Sequence, residues 1–386
     1  MEAERTKRMK PFYVMDVLER ACRMERDGAD VIHLEVGEPD FDTPAPVTEA
    51  AARALGQGRT HYTHSLGLPE LREAICAFYH ERYGVSVSPE RVCVTSGTSP
   101  AMLMACGVLL EHGDEVIISD PGYACYPNFV GFVGGVPAPV RVLAEDGFQY
   151  RSSAIRERIT PRTKAVFLNS PSNPTGNLLP PERMRRVAGM GPMIFSDEIY
   201  HGLVYEGREH SILEFTDEAF VFNGFSKLFA MTGLRLGYVI APERFMDGIK
   251  KLSQNLFISA NSVSQWAAIA ALTECRDEVE AMRITYNERR VRILARLRAM
   301  GFTIDVEPTG AFYVLADARF LSAATGLDSY GLAFDILEKA CVGVTPGTDF
   351  GPGGEGYIRF SYANSLENID RAMDRLEGYV RERAGS

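Results

Sequence analysis

From residue 91 onward, short apolar runs alternate with helical patterns, and this constrains the fold more than any other feature of the chain. The runs are RVCVTS, EVIISD, TKAVFLNS, MIFSDEIY, AFVFNGF and GLRLGYVIA. Helices are predicted from Pro100 to Leu110 and from Pro181, with a connecting segment around 124–133. Strands joined by helices pair in parallel, because each crossover returns the chain to the same end of the sheet. The expected core is an α/β unit with a mostly parallel sheet and helices on both faces. Ligands of such sheets sit outside the carboxyl ends of the strands. The polar residues fall at those ends: Ser96-Gly97-Thr98, Asp120 to Tyr123, Asn169 to Gly176, Asp197 and Lys227.

The flanks read differently. Residues 14–27 have helical apolar spacing and stop at Gly28. A strand VIHLEV (31–36) follows, leading into the turn Gly37-Glu38-Pro39-Asp40. Amphipathic helices are expected at 47–55 and 69–83, and 262–300 is helix-rich. The last part reads as strand FTIDVEP, strand AFYVLAD, helix 329–340, strand YIRFSYA and helix 366–383. That is a second α/β unit, which the N-terminal strand is expected to join. Residues 1–43 are thus assigned to an N-terminal arm and part of the small domain, 44–280 to a large domain, and 281–386 to a C-terminal small domain.

A chain of 386 residues can bury a core for two such units. Its net charge of −10 disfavours non-specific binding to nucleic acid or acidic membranes. Seven cysteines without a CxxC pair point to thiols in a cytoplasmic protein rather than a disulfide frame or zinc site. MEAERTKRMKPF has no apolar run behind it, so no secretion signal is expected, and no stretch is long and apolar enough to span a membrane. His61 and His64 lack a third ligand nearby, so no metal site is expected.

The chemistry concentrates in FNGFSKLFAMTGLRLGY at 222–238. Lys227 sits in a small-residue turn after an apolar run, and Arg235 lies eight residues on in a second, Gly-bounded strand. A lysine beside an anion-binding arginine can form a Schiff base with a phosphorylated aldehyde such as pyridoxal phosphate. Ser96-Gly97-Thr98 ends a strand and opens a helix, where backbone N–H groups favour a phosphate; a plain helix cap is the alternative. Asp197 could pair with a pyridine nitrogen or cap a following helix. Tyr200 and Asn173 could reach the ring's 3-oxygen, and Tyr123 offers an aromatic face. Arg359 lies in an apolar strand, where it needs a partner. That partner is a substrate carboxylate or a structural ion pair.

In this order the motifs LEVGEPDFDTP, HYTHSLGLPELREAI, VTSGTSPA, PGYACYP, LNSPSNPTG, SDEIY, FSKLFAMTGLRLGY and YIRFSYA resemble the fold-type-I, class I/II pyridoxal phosphate-dependent aminotransferases. The likeness runs from about residue 10 to the C-terminus and is greatest to the bacterial branch that includes aspartate aminotransferases. It implies a seven-stranded sheet in the large domain and a homodimer with shared sites. It implies that Lys227 carries the cofactor and moves the proton, that Asp197 faces the pyridine nitrogen, and that Tyr200 and Asn173 contact the 3-oxygen. Tyr123 would stack on the ring. Gly97, Thr98 and Arg235, with Ser96, would hold the phosphate, and Tyr62 would reach the phosphate in the neighbouring subunit. Gly37, Asn173 and Arg359 would meet the substrate carboxylate.

The chain departs from the family twice. Gly224 stands where a phosphate-binding serine is usual, so one hydrogen bond is expected to be missing. Ser99 stands where aspartate-specific members carry a lysine for a second carboxylate. The expectation is therefore an aminotransferase for neutral or aromatic amino acids, with glutamate and 2-oxoglutarate as one couple. Phe12 and Tyr13 are candidates to line the side-chain pocket, or else to staple the arm to the body. Aspartate transamination, a carbon–sulfur β-lyase and a non-catalytic regulator are the alternatives. The segment ending in Phe312-Tyr313 is read as structural.

Overall fold

The apolar run before Gly37 gives only a two-residue strand, β1 (Ile32–His33), in the computed structural model, which describes residues 2–384. The alternating middle of the chain gives β2 (Val92–Thr95), β3 (Glu115–Asp120), β4 (Val136–Arg141), β5 (Thr163–Asn169), β6 (Met193–Asp197), β7 (Ala219–Gly224) and β8 (Gly237–Ile240). These form one seven-stranded sheet in the order β2-β8-β7-β6-β5-β3-β4. Neighbours pair in parallel except at β8, which is antiparallel to both β2 and β7. No helix separates β7 from β8, so the chain cannot cross back to the other end of the sheet before pairing.

Two sequence expectations change here. β4 was not anticipated, because Pro137 and Pro139 interrupt its pattern; as an edge strand it needs no ladder N–H groups on its outer side. Arg235 is not inside a strand. It precedes β8 with φ +50°, in the left-handed region.

The C-terminal unit holds β9 (Tyr313–Asp317), β10 (Val342–Gly343), β11 (Thr345–Pro346) and β12 (Tyr357–Ser361). β11, β12 and β9 form an antiparallel sheet, and β1 pairs in parallel with β10, so the N-terminal strand does join this unit. FTIDVEP is not a strand: only Thr303 makes an isolated bridge, to Asp317. The expected boundary near 280 falls inside one unbroken helix, Arg276–Ala299. From that helix Arg289 makes a two-pronged ion pair with Asp40, at 2.6 and 2.9 Å.

Among the described residues no helix is long and apolar enough to cross a membrane. Behind the sheet's central strands Phe167, Phe195 and Phe222 pack ring against ring, which fixes β5, β6 and β7 relative to one another. The polar strand ends beyond them are thereby held at one rim.

Candidate active site

The ends of β5 and β6, the turn after β7 and the helix Thr98–Leu109 meet residues of the C-terminal unit around a cavity of about 210 Å³. Gly37, Thr98, Tyr123 and Asn173 line it, together with Asp197, Tyr200, Lys227 and Arg359. A larger cleft of about 820 Å³ opens elsewhere, between 78–83 and 271–283, and holds none of these groups. Its Arg82 and Arg283 are already paired with Glu209 and Glu280.

The Lys227 ammonium donates to the Gly37 carbonyl at 2.6 Å. Burial, with Arg359 and Arg235 nearby, lowers its pKa to about 8 against the opposing pull of Glu38 and Asp197. Such an amine is neutral far more often than a surface lysine and is a competent nucleophile and base.

Asp197 ends β6 and is buried. Burial raises its pKa to about 6, while hydrogen bonds from Tyr126 (2.7 Å) and the Ile199 N–H (3.2 Å) work the other way. The helix-cap alternative falls away, because a turn rather than a helix follows Asp197. A buried carboxylate without an ion-pair partner stabilises a cation brought opposite it. Asn169, at the end of β5, braces the neighbourhood: its side chain accepts from the Asn173 N–H at 2.7 Å and donates to the Asp197 carbonyl at 3.1 Å.

Arg359 is buried in the middle of β12. It donates to Asn173 Oδ1 (2.9 Å), Thr345 Oγ1 (3.0 Å) and the Glu35 carbonyl. Its Nε has no partner, and among the described residues no carboxylate forms an ion pair with it. The structural ion-pair alternative is therefore not what is observed. A guanidinium met only by neutral oxygens favours an incoming carboxylate.

At the other end of the cavity, Gly97 takes φ +98° at the N-cap of helix Thr98–Leu109, and no side chain caps that helix. A Cβ on Gly97 would lie 2.9 Å from the Arg235 guanidinium, so glycine is what lets the arginine reach the helix terminus. Free N–H groups, the helix dipole and a fixed cation together make an anion site. Ser96 is partly buried beside it.

Tyr62 lies outside its own chain's cavity and is 81% exposed. Phe12 lines the cavity and meets Tyr123 edge-on at 6.1 Å, whereas Tyr13 packs on Tyr330, so the pocket and staple roles divide between the two residues. Gly224 faces Gly237 across β7 and β8, and a Cβ there would come 2.9 Å from the Gly237 Cα. Close backbone approach accounts for this glycine. His64 Nδ1 accepts the Leu66 N–H at 3.2 Å within a turn.

Two residues were missed. Tyr126 sits three positions after Tyr123 in PGYACYP, and its hydroxyl holds Asp197. Tyr313 was read as structural, but it lines the cavity and bonds Tyr200 through their hydroxyls at 2.8 Å. A tyrosine in an otherwise apolar strand was the available signal for Tyr313.

A family model described as "Aminotransferase class I and II" matches residues 29–376. The chain is 41% identical to the aspartate/prephenate aminotransferase of Thermus thermophilus, over 97% of each protein. It is 39% identical to the (5-formylfuran-3-yl)methyl phosphate transaminase of Methanocaldococcus jannaschii, over 98% of this chain and 100% of the other. A solved structure of a Thermus thermophilus aspartate aminotransferase tetra mutant complexed with tryptophan superimposes with TM-score 0.93 at 41% identity, covering 98% of this chain and 99% of that one. With a lysine, a buried aspartate and an unpaired arginine gathered at the rim of such a sheet, this chain belongs to the class I and II aminotransferases.

Proposed function

We propose that this aminotransferase uses pyridoxal phosphate to move the amino group between a neutral or aromatic L-amino acid and a 2-oxo acid, with glutamate and 2-oxoglutarate as one couple. One observation carries the reading: a single cavity joins an amine of lowered pKa, a buried carboxylate without an ion-pair partner among the described residues, and an arginine likewise without a carboxylate. These residues fit the cofactor. The Gly97 helix terminus and Arg235 suit its phosphate, Asp197 its pyridine nitrogen, Tyr200 and Asn173 its 3-oxygen, and Tyr123 its face.

When bound, the cofactor supplies an electrophilic carbon for the substrate nitrogen and a protonated ring that accepts electron density from Cα. Asp197 keeps that ring nitrogen protonated. Arg359 and Asn173 hold the α-carboxylate. Lys227 would hold the cofactor through its amine and, with that amine free once substrate is bound, would move the proton from the substrate Cα to the cofactor. A second 2-oxo acid reverses these transfers, so ping-pong kinetics follow.

The side-chain wall supports the substrate class. Phe12, Met15, Ser99 and Met102 line it, so the wall offers an apolar or aromatic side chain three large apolar contacts. Aspartate is the alternative, if a further cation meets its second carboxylate. With 2-oxoglutarate as acceptor, kcat/KM for phenylalanine or tyrosine should exceed that for aspartate by roughly tenfold or more, because an aromatic ring buries apolar surface against Phe12, Met15 and Met102 that aspartate cannot. Turnover of dicarboxylic amino acids alone would refute the preference. The exposed Tyr62 supports a homodimer in which it completes the neighbour's phosphate site. A cytoplasmic location accords with seven free cysteines.

A further inference from the structure

Tyr313 touches three parts of the cavity at once. Its hydroxyl lies 2.8 Å from the Tyr200 hydroxyl. Its ring lies beneath the Arg359 guanidinium, 4.3 Å from carbon to centroid. Its hydroxyl also rests against Gly37, where a Cβ would come within 1.8 Å of it. Gly37 in turn offers its carbonyl to Lys227. Tyr313 belongs to β9 of the C-terminal unit, while Tyr200 follows β6 of the seven-stranded sheet. Both rings are buried.

Counting protons gives the bond a direction. Burial raises both phenol pKa values, so each hydroxyl keeps its proton at neutral pH. Among the described residues neither hydroxyl has another hydrogen-bond partner. Two protons therefore serve one mutual bond, and one O–H is left over. If Tyr200 spends its proton on an acceptor in the cavity, Tyr313 must donate to Tyr200. A donor that itself receives a hydrogen bond is the stronger donor.

We propose that Tyr313 is a positioning residue: it donates to Tyr200 and strengthens that hydroxyl as donor to the cofactor's 3-oxygen, while its ring seats Arg359 for the substrate carboxylate. This rests on the cofactor reading above. It joins, in one side chain, the group that binds the carboxylate to the group that tunes the ring.

The test reads the bound chromophore rather than turnover. A donor to the 3-oxygen favours the form in which that oxygen is negative and the adjacent nitrogen unprotonated. Weakening the donor raises the pH at which the Lys227-bound chromophore loses its proton. Tyr313→Phe keeps the ring and loses the hydroxyl, so its visible pH titration should move up by about half a unit, with KM for amino acids nearly unchanged. Tyr200→Phe should move it further, by roughly one unit. Adding Tyr313→Phe to Tyr200→Phe should then shift nothing more, because the effect passes through Tyr200. Tyr313→Leu, which also loses the ring, should raise KM by about tenfold. A Tyr313→Phe titration that overlays the wild type would overturn the proposal, as would additive shifts in the double variant. A wild-type protein that binds no cofactor would remove the cofactor reading and this inference with it.

Discussion

At the scale of single residues, charge in a dry place is what this site arranges. Asp197 is buried, and that burial raises its pKa to about 6 although Tyr126, the Ile199 N–H and the Lys227 charge pull the other way. Asp197→Asn keeps the shape, and Tyr126 can still donate to the amide oxygen, so the fold should survive. The charge that would face the ring nitrogen on the proposed cofactor reading is lost, and kcat should fall on the order of 100-fold or more while cofactor is retained. Steady-state kinetics with a cofactor count on the same sample checks this; wild-type kcat would contradict it. The residues with the most distinctive chemistry were legible beforehand: Lys227, Asp197 and Arg359 stand out as charges next to apolar runs. Tyr126 and Tyr313 were not, because a tyrosine in an apolar setting is as often packing as chemistry. Only their hydroxyl partners, Asp197 and Tyr200, reveal which it is.

At the scale of elements, the helix Tyr13–Arg26 brings Phe12 and Met15 to the cavity. No local side chain caps it; Asp349, more than three hundred residues later, accepts the Tyr13 N–H at 2.8 Å and the Val14 N–H at 3.3 Å. Just upstream, Asn128 exchanges hydrogen bonds with the Lys10 backbone, at 3.1 and 3.2 Å. Asp349→Ala should cost about 1 kcal/mol of stability, the usual value of a helix cap, and raise KM for aromatic amino acids several-fold. Denaturant unfolding and initial rates test both parts; unchanged KM would mean that the helix end does not shape the pocket. A cap supplied from so far along the chain is invisible in sequence. The same holds for the two strand errors. Alternation in FTIDVEP names a face to bury but not a partner edge, and the prolines of β4 hide a strand that pairs on one side only.

At the scale of the molecule, the chain's two ends build one unit. β1 lies beside β10, and His33 on β1 bridges Glu25 (3.1 Å) and the buried Glu35 (2.6 Å). The hydrogen bond to Glu35, offset by burial and helped by its charge and by Glu25, raises the His33 pKa to about 9. A raised pKa stabilises the fold in full below the unfolded value near 6.5, and that stability is lost as pH rises through about 9. Between pH 6.5 and 9.5 the wild type should therefore lose on the order of 2 kcal/mol more than His33→Gln. Parallel unfolding curves for the two proteins at both pH values would contradict this. That the N-terminal strand joins the C-terminal unit was expected, because a lone short strand needs an edge. A helix over residues 278–300 was expected too, and the one observed, Arg276–Ala299, carries in its apolar and charged residues no mark of where one unit ends. The central claim is that Lys227 holds a cofactor that takes the amino group from neutral and aromatic amino acids. The most direct test is the absorbance spectrum of the purified, cofactor-loaded protein before and after each amino acid is added without a 2-oxo acid. A visible band that moves into the near-ultraviolet with phenylalanine, tyrosine and glutamate, and returns on adding 2-oxoglutarate, is the predicted result. No visible band, or a band that no amino acid moves, would contradict it.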